Sequence, residues 1–410
     1  MVKYTRISFS RLIRALESSS SQLSVSVVPV RSLSYLKPAF ASKIQSADIS
    51  VRLASPDRLQ PKPDVSSLQF GKHFTDHMLK IEYHMSAGGW QQPCITPLEY
   101  LSLHPAAKVL HYAIELFEGM KAYRGVDGRI RIFRPDLNME RMNLSAARSG
   151  LPQFDSEQMI RCICRLISID QEWVPHSESA SLYIRPTLIG TEPTLGVASP
   201  ESALLYTILC PVGSYFSGIG FKPVSLLADP RFVRAWPGGC GDRKVGSNYG
   251  PTIQIQKLAE SQGFNQVLWL YGEDNQITEA GTMNCFIVHL NENGKQVVVT
   301  PNLNGLILPG ITRQSILDLS REWGDYIVEE RTVTMAELVQ WHEENRLLEV
   351  FGAGTACVVC PVGLIQFKNT TLHIPTGEQK DPFFLRCLRT ILDIQYGRVQ
   401  HPWARAIDDC

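Results

Sequence analysis

The 410 residues contain no apolar run long enough to cross a bilayer. The longest, at 203–212, is broken by Thr207 and Pro211, and a spanning helix needs about 20 residues. An excess of one charge is also missing. Forty Lys and Arg balance forty Asp and Glu, so the basic surplus of a general nucleic-acid binder is absent. Cys357-Val-Val-Cys360 has no second such pair and no matching histidines, so no zinc or other metal site is expected. There is no internal repeat and, beyond residue 66, no long low-complexity segment. What remains is the 44% hydrophobic, 20% charged composition of a globular protein with room for two or three domains.

The zero net charge is uneven. Residues 1–43 hold seven basic side chains (Lys3, Arg6, Arg11, Arg14, Arg31, Lys37, Lys43) against Glu17 alone, leaving 33 basic and 39 acidic groups for the rest. On a helical wheel Phe9, Leu12, Ile13 and Leu16 share one face, and Lys3, Arg6, Arg11 and Arg14 take the other, with Ile7 as the exception. Such an amphipathic, Ser-rich, acid-poor leader has the composition of a mitochondrial transit peptide, so residues 1–43 are expected to direct the chain to the matrix. A secretory signal would need a continuous apolar core, and the leader has none. The ten cysteines are accordingly expected to be reduced and mostly buried, with Cys162 and Cys164 packing inside an amphipathic helix.

Periodicity divides the remainder into two α/β halves. Strands are expected at 71–82, 121–124, 129–133, 181–189 and 203–210, with helices at 137–149 and 155–171. The Gly/Pro-rich segment 213–223 reads as a linker between a smaller domain, 44–212, and a larger one, 224–410. In the second half, helices are expected at 251–262 and 311–323, and strands at 266–271, 277–290 and 296–300. Thr334-Met-Ala-Glu337 is a capping box that opens a further helix.

Two segments suggest chemistry. Gly241-Asp-Arg-Lys-Val-Gly-Ser-Asn-Tyr249 sets a lysine among glycines, where backbone can approach a ligand. Thr278-Glu-Ala-Gly-Thr-Met-Asn-Cys-Phe286 leads a glutamate into an apolar strand, which would hold a carboxylate at a sheet edge. Either alone is weak. Together, and in order with Phe117-Glu-Gly-Met-Lys-Ala, Ile184-Arg-Pro, Leu308-Pro-Gly-Ile-Thr-Arg-Gln and Phe351-Gly-Ala-Gly-Thr-Ala-Cys-Val-Val-Cys360, they resemble the fold-type IV pyridoxal-phosphate enzymes. The match is nearest to the branched-chain amino-acid aminotransferases of animals and runs from Phe70 to Gly397.

The resemblance implies an α/β fold with the active site between two domains and pyridoxal 5′-phosphate as cofactor. Lys244 would bond to the cofactor and move a proton, while Glu279 would face the pyridine nitrogen and Tyr249 the phenolic oxygen. Arg141, the N–H groups of Ile311 and Thr312 and the Thr355 hydroxyl would hold the phosphate, a helix start being a natural phosphate site. Phe70, Tyr112, Phe117, Tyr183, Arg185, Tyr215 and Thr282 would enclose the substrate, and backbone at Ala356 and Cys357 would receive its α-carboxylate. Leu195 and Val197 would reach the other site of a homodimer. Cys357 and Cys360 resemble the redox pair of mammalian-type members.

The implied reaction is transamination of L-leucine, L-isoleucine and L-valine with 2-oxoglutarate, giving 2-oxo acids and glutamate. A D-amino-acid aminotransferase, an aminodeoxychorismate lyase and a non-catalytic relative of the fold remain open. Three features depart from the family pattern: Arg243 before the lysine, a longer 84–89 segment, and the terminal 405–410, to which no role is assigned.

Overall fold

Two long strands, Ser181–Gly190 and Ser202–Val212, pair antiparallel along their whole lengths at the centre of a ten-stranded sheet. Both are mostly apolar and buried at nearly every position, as strands covered on both faces are. His77–His84 adds to one side, and Met120–Arg124 followed by Ile130–Phe133 to the other. The helices Pro135–Arg148 and Ser156–Ile169 share this sheet's core. The second of them starts where the Asp155 carboxylate accepts the Gln158 amide at 3.0 Å. It buries Met159, Ile160, Ile163, Leu166 and Ile167 along one face, each worth about 2 kcal/mol of apolar burial. This is a computed structural model, and it describes residues 43–213 and 222–410. Residues 1–42 of the leader, most of the linker and Tyr215 lie outside the described residues.

The second sheet has nine strands, six of which close into a ring. Gln276–Ala280, Gln266–Tyr271, Val224–Ala228, Val358–Phe367, Leu347–Gly354 and Met283–Leu290 pair in that order, and the last pairs back on the first. Two expectations change here. The segment 277–290 is not one strand but two, reversed at Gly281, whose φ of +60° suits a tight turn. Glu279 therefore does not stand at an edge: it is paired with Trp269 on one side and Asn284 on the other.

The strand expected at 71–82 begins at His77, because Gly71 is left-handed and turns the chain before it. The longer 84–89 segment forms the turn into Gly89–Trp90, which pairs back on His77–His84. The capping box at Thr334 and Glu337 is present as expected.

The end of the chain crosses back. Ala404–Ala406 pairs with Ile130–Phe133 of the first sheet, and Arg405 grips Glu157 with two bonds at 2.7 and 2.6 Å. This brings Cys410 to Cys164, and the two form a disulfide across 246 positions. The reading of Cys164 as a packed free thiol is thus corrected, and the terminal segment gains a role. A pairing between such distant positions has no local signal. Cys162, by contrast, is free and buried in the core.

Candidate active site

Lys244 lies between the strand Val224–Ala228 and the helix Thr252–Ser261, in a loop whose backbone is tied down on several sides. Its N–H donates to Ser145 Oγ at 3.0 Å, and its carbonyl accepts the Phe117 amide at 3.1 Å. Asn248 Nδ2 clamps the loop by donating to the carbonyls of Cys240 and Arg243, at 2.6 and 2.8 Å. Gly246 is required by space, since a Cβ there would stand 1.9 Å from Glu115 Oε1. Arg243 turns away to the Asp242 carboxylate at 2.6 Å.

The clamped loop aims Lys244 Nζ into a cavity of about 440 Å³. The amine donates to Tyr249 Oη at 3.1 Å and sits 4.7 Å from the centre of the Phe117 ring. Burial, helped by the nearby positive charge of Arg141, lowers its pKa to about 8.

Arg141 enters from the helix Pro135–Arg148. Its Nε and Nη2 donate to the two oxygens of Glu118 at 2.7 and 2.8 Å, and its Nη1 to the Pro309 carbonyl at 2.9 Å. Glu118 is wholly buried and also accepts from Asn138 Nδ2 at 2.8 Å. Burial alone would raise this carboxyl, but Arg141 outweighs it and holds the group below its ordinary range. A guanidinium has five N–H donors, so two remain on Arg141 for a ligand.

Beside it the helix Ile311–Trp323 starts at Gly310 with no side-chain cap, leaving the first N–H groups open to the cavity. A Cβ on Gly310 would lie 1.9 Å from Asn284 Oδ1, so only glycine lets the backbone pass here. Thr355 lines the same region. A guanidinium, free helical N–H groups, a hydroxyl and a glycine-made recess form a donor set suited to a phosphate.

Of the residues expected from sequence, Phe70, Phe117, Tyr183, Arg185, Thr282, Ala356 and Cys357 also line the cavity. Glu279 lies just beyond the wall: Oε1 accepts the Leu308 amide at 2.8 Å and Oε2 faces Arg234 Nε at 3.0 Å. Burial raises its pKa, with Arg234 and the Leu308 N–H opposing. Tyr112, expected in this wall, does not line the cavity; it is solvent-exposed, as are Leu195 and Val197, which were expected to reach the other site of a homodimer. They form a separate unit, in which the Tyr112 hydroxyl donates to the Leu195 carbonyl. The buried Lys108 beneath it pairs with Glu192 at 3.0 Å.

Cys357 and Cys360 are buried free thiols, with Cys357 Sγ 3.3 Å from Met283 Sδ. Burial pushes their pKa values up to about 12 and about 11.

Sequence reading missed Glu118, Arg234, Asn248 and Gly310 as site-forming positions. Local sequence does not set Glu118 apart, since Glu115 and Lys121 stand within three positions of it.

The family profile described as Amino-transferase class IV matches residues 115–365. A match of that extent places the chain among the class IV aminotransferases. The mouse cytosolic branched-chain-amino-acid aminotransferase is 58% identical over 345 residues, covering 84% of this chain and 89% of that protein. The mouse mitochondrial one is 53% identical over 367 residues, covering 90% and 93%. The chain belongs to the branched-chain-amino-acid aminotransferase family. Its fold is fold-type IV: the Thermoproteus uzoniensis branched-chain aminotransferase solved with norvaline matches with a TM-score of 0.64 at 22% identity, covering 76% of this chain and 96% of that one. The Thermobaculum terrenum branched-chain amino acid aminotransferase, solved in its PLP-bound holo form, matches at 0.62 and 18% identity, covering 80% and 98%.

Proposed function

We propose that this enzyme moves the amino group of L-leucine, L-isoleucine or L-valine to 2-oxoglutarate, with pyridoxal 5′-phosphate as carrier. The observation that carries the reading is the Lys244 amine, 3.1 Å from Tyr249 Oη, at the foot of a cavity with an anion cradle and an aromatic wall. When bound, the cofactor supplies the electron sink and the carbon that holds the amino group between half-reactions.

The chain's own residues do the rest. Lys244, at about pKa 8, has a neutral fraction near neutral pH and would take and return the proton at the substrate's Cα. Tyr249 orients that amine. Arg141, the N–H groups of Ile311 and Thr312, and Thr355 would hold the phosphate, and Glu279 would keep the ring nitrogen protonated.

Both substrates must fit one wall. Phe70 and Tyr183 meet edge to face at 4.9 Å between ring centres, giving an apolar enclosure for a branched chain. Arg185 lies 4.8 Å from the centre of Phe117 and 5.2 Å from that of Tyr183, with Nη2 3.3 Å from Tyr183 Oη. It has no carboxylate partner among the described residues, which suits it to the second substrate's γ-carboxylate. The amides around Ala356 and Cys357 receive the α-carboxylate. Tyr112, Leu195 and Val197 complete the neighbouring site of a homodimer; their exposure as one braced unit supports this.

The leader's composition supports a mitochondrial matrix location. Relatives of both mitochondrial and cytosolic type resemble the chain at 53% and 58% identity, so a reporter fused to residues 1–43 is the direct test. For the activity, the absorption spectrum is recorded before and after adding leucine. A cofactor band that shifts with leucine, and is lost in Lys244→Ala, is expected; a colourless protein would falsify the reading.

A further inference from the structure

Three buried arginines around the cavity have carboxylate partners: Arg141 with Glu118, Arg234 with Glu279 and Arg313 with Glu330. Apart from Lys244, whose amine meets only Tyr249 Oη, two other cations there have none among the described residues. Arg185 borders the aromatic wall and is treated above. The second is Lys121, on the strand Met120–Arg124 opposite Tyr183.

Lys121 is 7% exposed, and its Nζ donates to the Ala356 carbonyl at 2.8 Å. Among the described residues, the one titratable group that acts on it is the Cys357 thiol, itself held neutral by burial. A buried ammonium with a single carbonyl for company is costly to keep. Burial accordingly lowers its pKa to about 8, which still leaves it mostly charged at neutral pH. A ligand that brings a negative charge nearby relieves that cost.

The geometry says where such a charge would sit. Ala356 belongs to the turn Gly354-Thr355-Ala356-Cys357, which lines the main cavity. Lys121 approaches from a small hollow behind it, shared with Thr312 and Thr355. A peptide unit is planar and trans, so the Cys357 N–H points opposite to the carbonyl that Lys121 holds. The amides of Thr355 and Ala356 have no backbone acceptor among the described residues.

We infer that Lys121 is the rear counter-charge for the substrate's α-carboxylate, a positioning residue that fixes the Ala356 peptide so that the turn's front face receives the anion. This deepens the transaminase reading and rests on it. The two carboxylates of 2-oxoglutarate then answer the two unpaired cations other than Lys244: Lys121 behind the turn and Arg185 at the aromatic wall.

The test titrates 4-methylpentanoate, a branched carboxylate without an amine, into the cofactor-loaded wild type, Lys121→Met and Lys121→Arg by calorimetry. Binding is expected to weaken at least about tenfold, about 1.4 kcal/mol, in Lys121→Met and by less than about threefold in Lys121→Arg. The KM for leucine should rise with the Kd, while kcat changes less. Equal affinity in all three proteins overturns the inference, and so does equal weakening in both variants, which marks packing rather than charge. If Lys121→Met does not reach the wild-type melting temperature, Lys121→Gln replaces it under the same thresholds. An inert wild type sinks the transaminase reading itself; an active wild type with an unaffected Lys121→Met sinks only this inference.

Discussion

Glu118 and Arg141 meet as a two-pronged ion pair inside the protein, at 2.7 and 2.8 Å, and Arg141 reaches on to the Pro309 carbonyl. One buried carboxylate thereby holds the cation of the anion cradle and ties it to the backbone just ahead of the helix Ile311–Trp323.

Replacing one member of such a pair leaves the other uncompensated, so Glu118→Gln should cost about 3 kcal/mol of stability. The pH dependence has a defined sign. The folded pKa of Glu118 is depressed below 4.5, so its contribution is present above that value and is lost as pH falls through the folded pKa. Denaturant titrations should show the gap between wild type and Glu118→Gln narrowing as the pH drops below 4.5. A constant gap would count against the pair.

Lys244 gives the opposite dependence. Its pKa of about 8 in the fold lies below the ordinary 10.5, so the unfolded chain binds the extra proton and stability rises between those values. Cofactor-free wild type should therefore gain stability relative to Lys244→Met on going from pH 7 to pH 10. Denaturation midpoints measured in parallel decide the matter, and equal slopes would sink it.

Gly310→Ala puts a Cβ 1.9 Å from Asn284 Oδ1, so either Asn284 or the helix start must move. The cradle should loosen, with cofactor affinity falling at least about tenfold while the fold persists. Equilibrium dialysis against pyridoxal 5′-phosphate, with circular dichroism as the control, reads both quantities.

Arg185→Met should raise the KM for 2-oxoglutarate by about tenfold or more while leaving that for leucine within about threefold. Steady-state kinetics with each substrate varied in turn separates the two. Equal changes would mean that the arginine serves packing against Phe117 and Tyr183, not the second carboxylate.

The redox expectation also becomes quantitative. Peroxide would join Cys357 and Cys360 by taking two electrons and two protons from the thiols and leaving as water. With thiols raised to about 12 and about 11, few thiolates exist at neutral pH, so the reaction should be slow. Activity should decline over a longer time than the half-exposed Cys94 and Cys240 take to react, and dithiothreitol should restore it. Turnover that never changes removes the switch.

Local pattern made much of the fold legible. The helix at 311–323 stands where its apolar periodicity put it, and the strands at 266–271 and 296–300 are short apolar runs bounded by turns and buried at consecutive positions. The capping box at Thr334 is likewise a short-range device. The hairpin at Gly281 was missed because its turn is a single Gly-Thr step, with no Pro, Asp or second Gly to break a stretch that reads as strand on both sides.

The sequence by itself determined the family, through motifs of fixed local spacing, and that resemblance pointed to Lys244 and to Phe70, Phe117, Tyr183, Arg185 and Thr282, which the cavity gathers. Only the tertiary structure decided which charges neutralise one another. Glu118 lies 23 positions from Arg141, Lys121 235 from Ala356, and Cys164 246 from Cys410. Whether a buried charge is paired, left for a ligand or linked to the chain's end depends on distances in space, which no local pattern encodes.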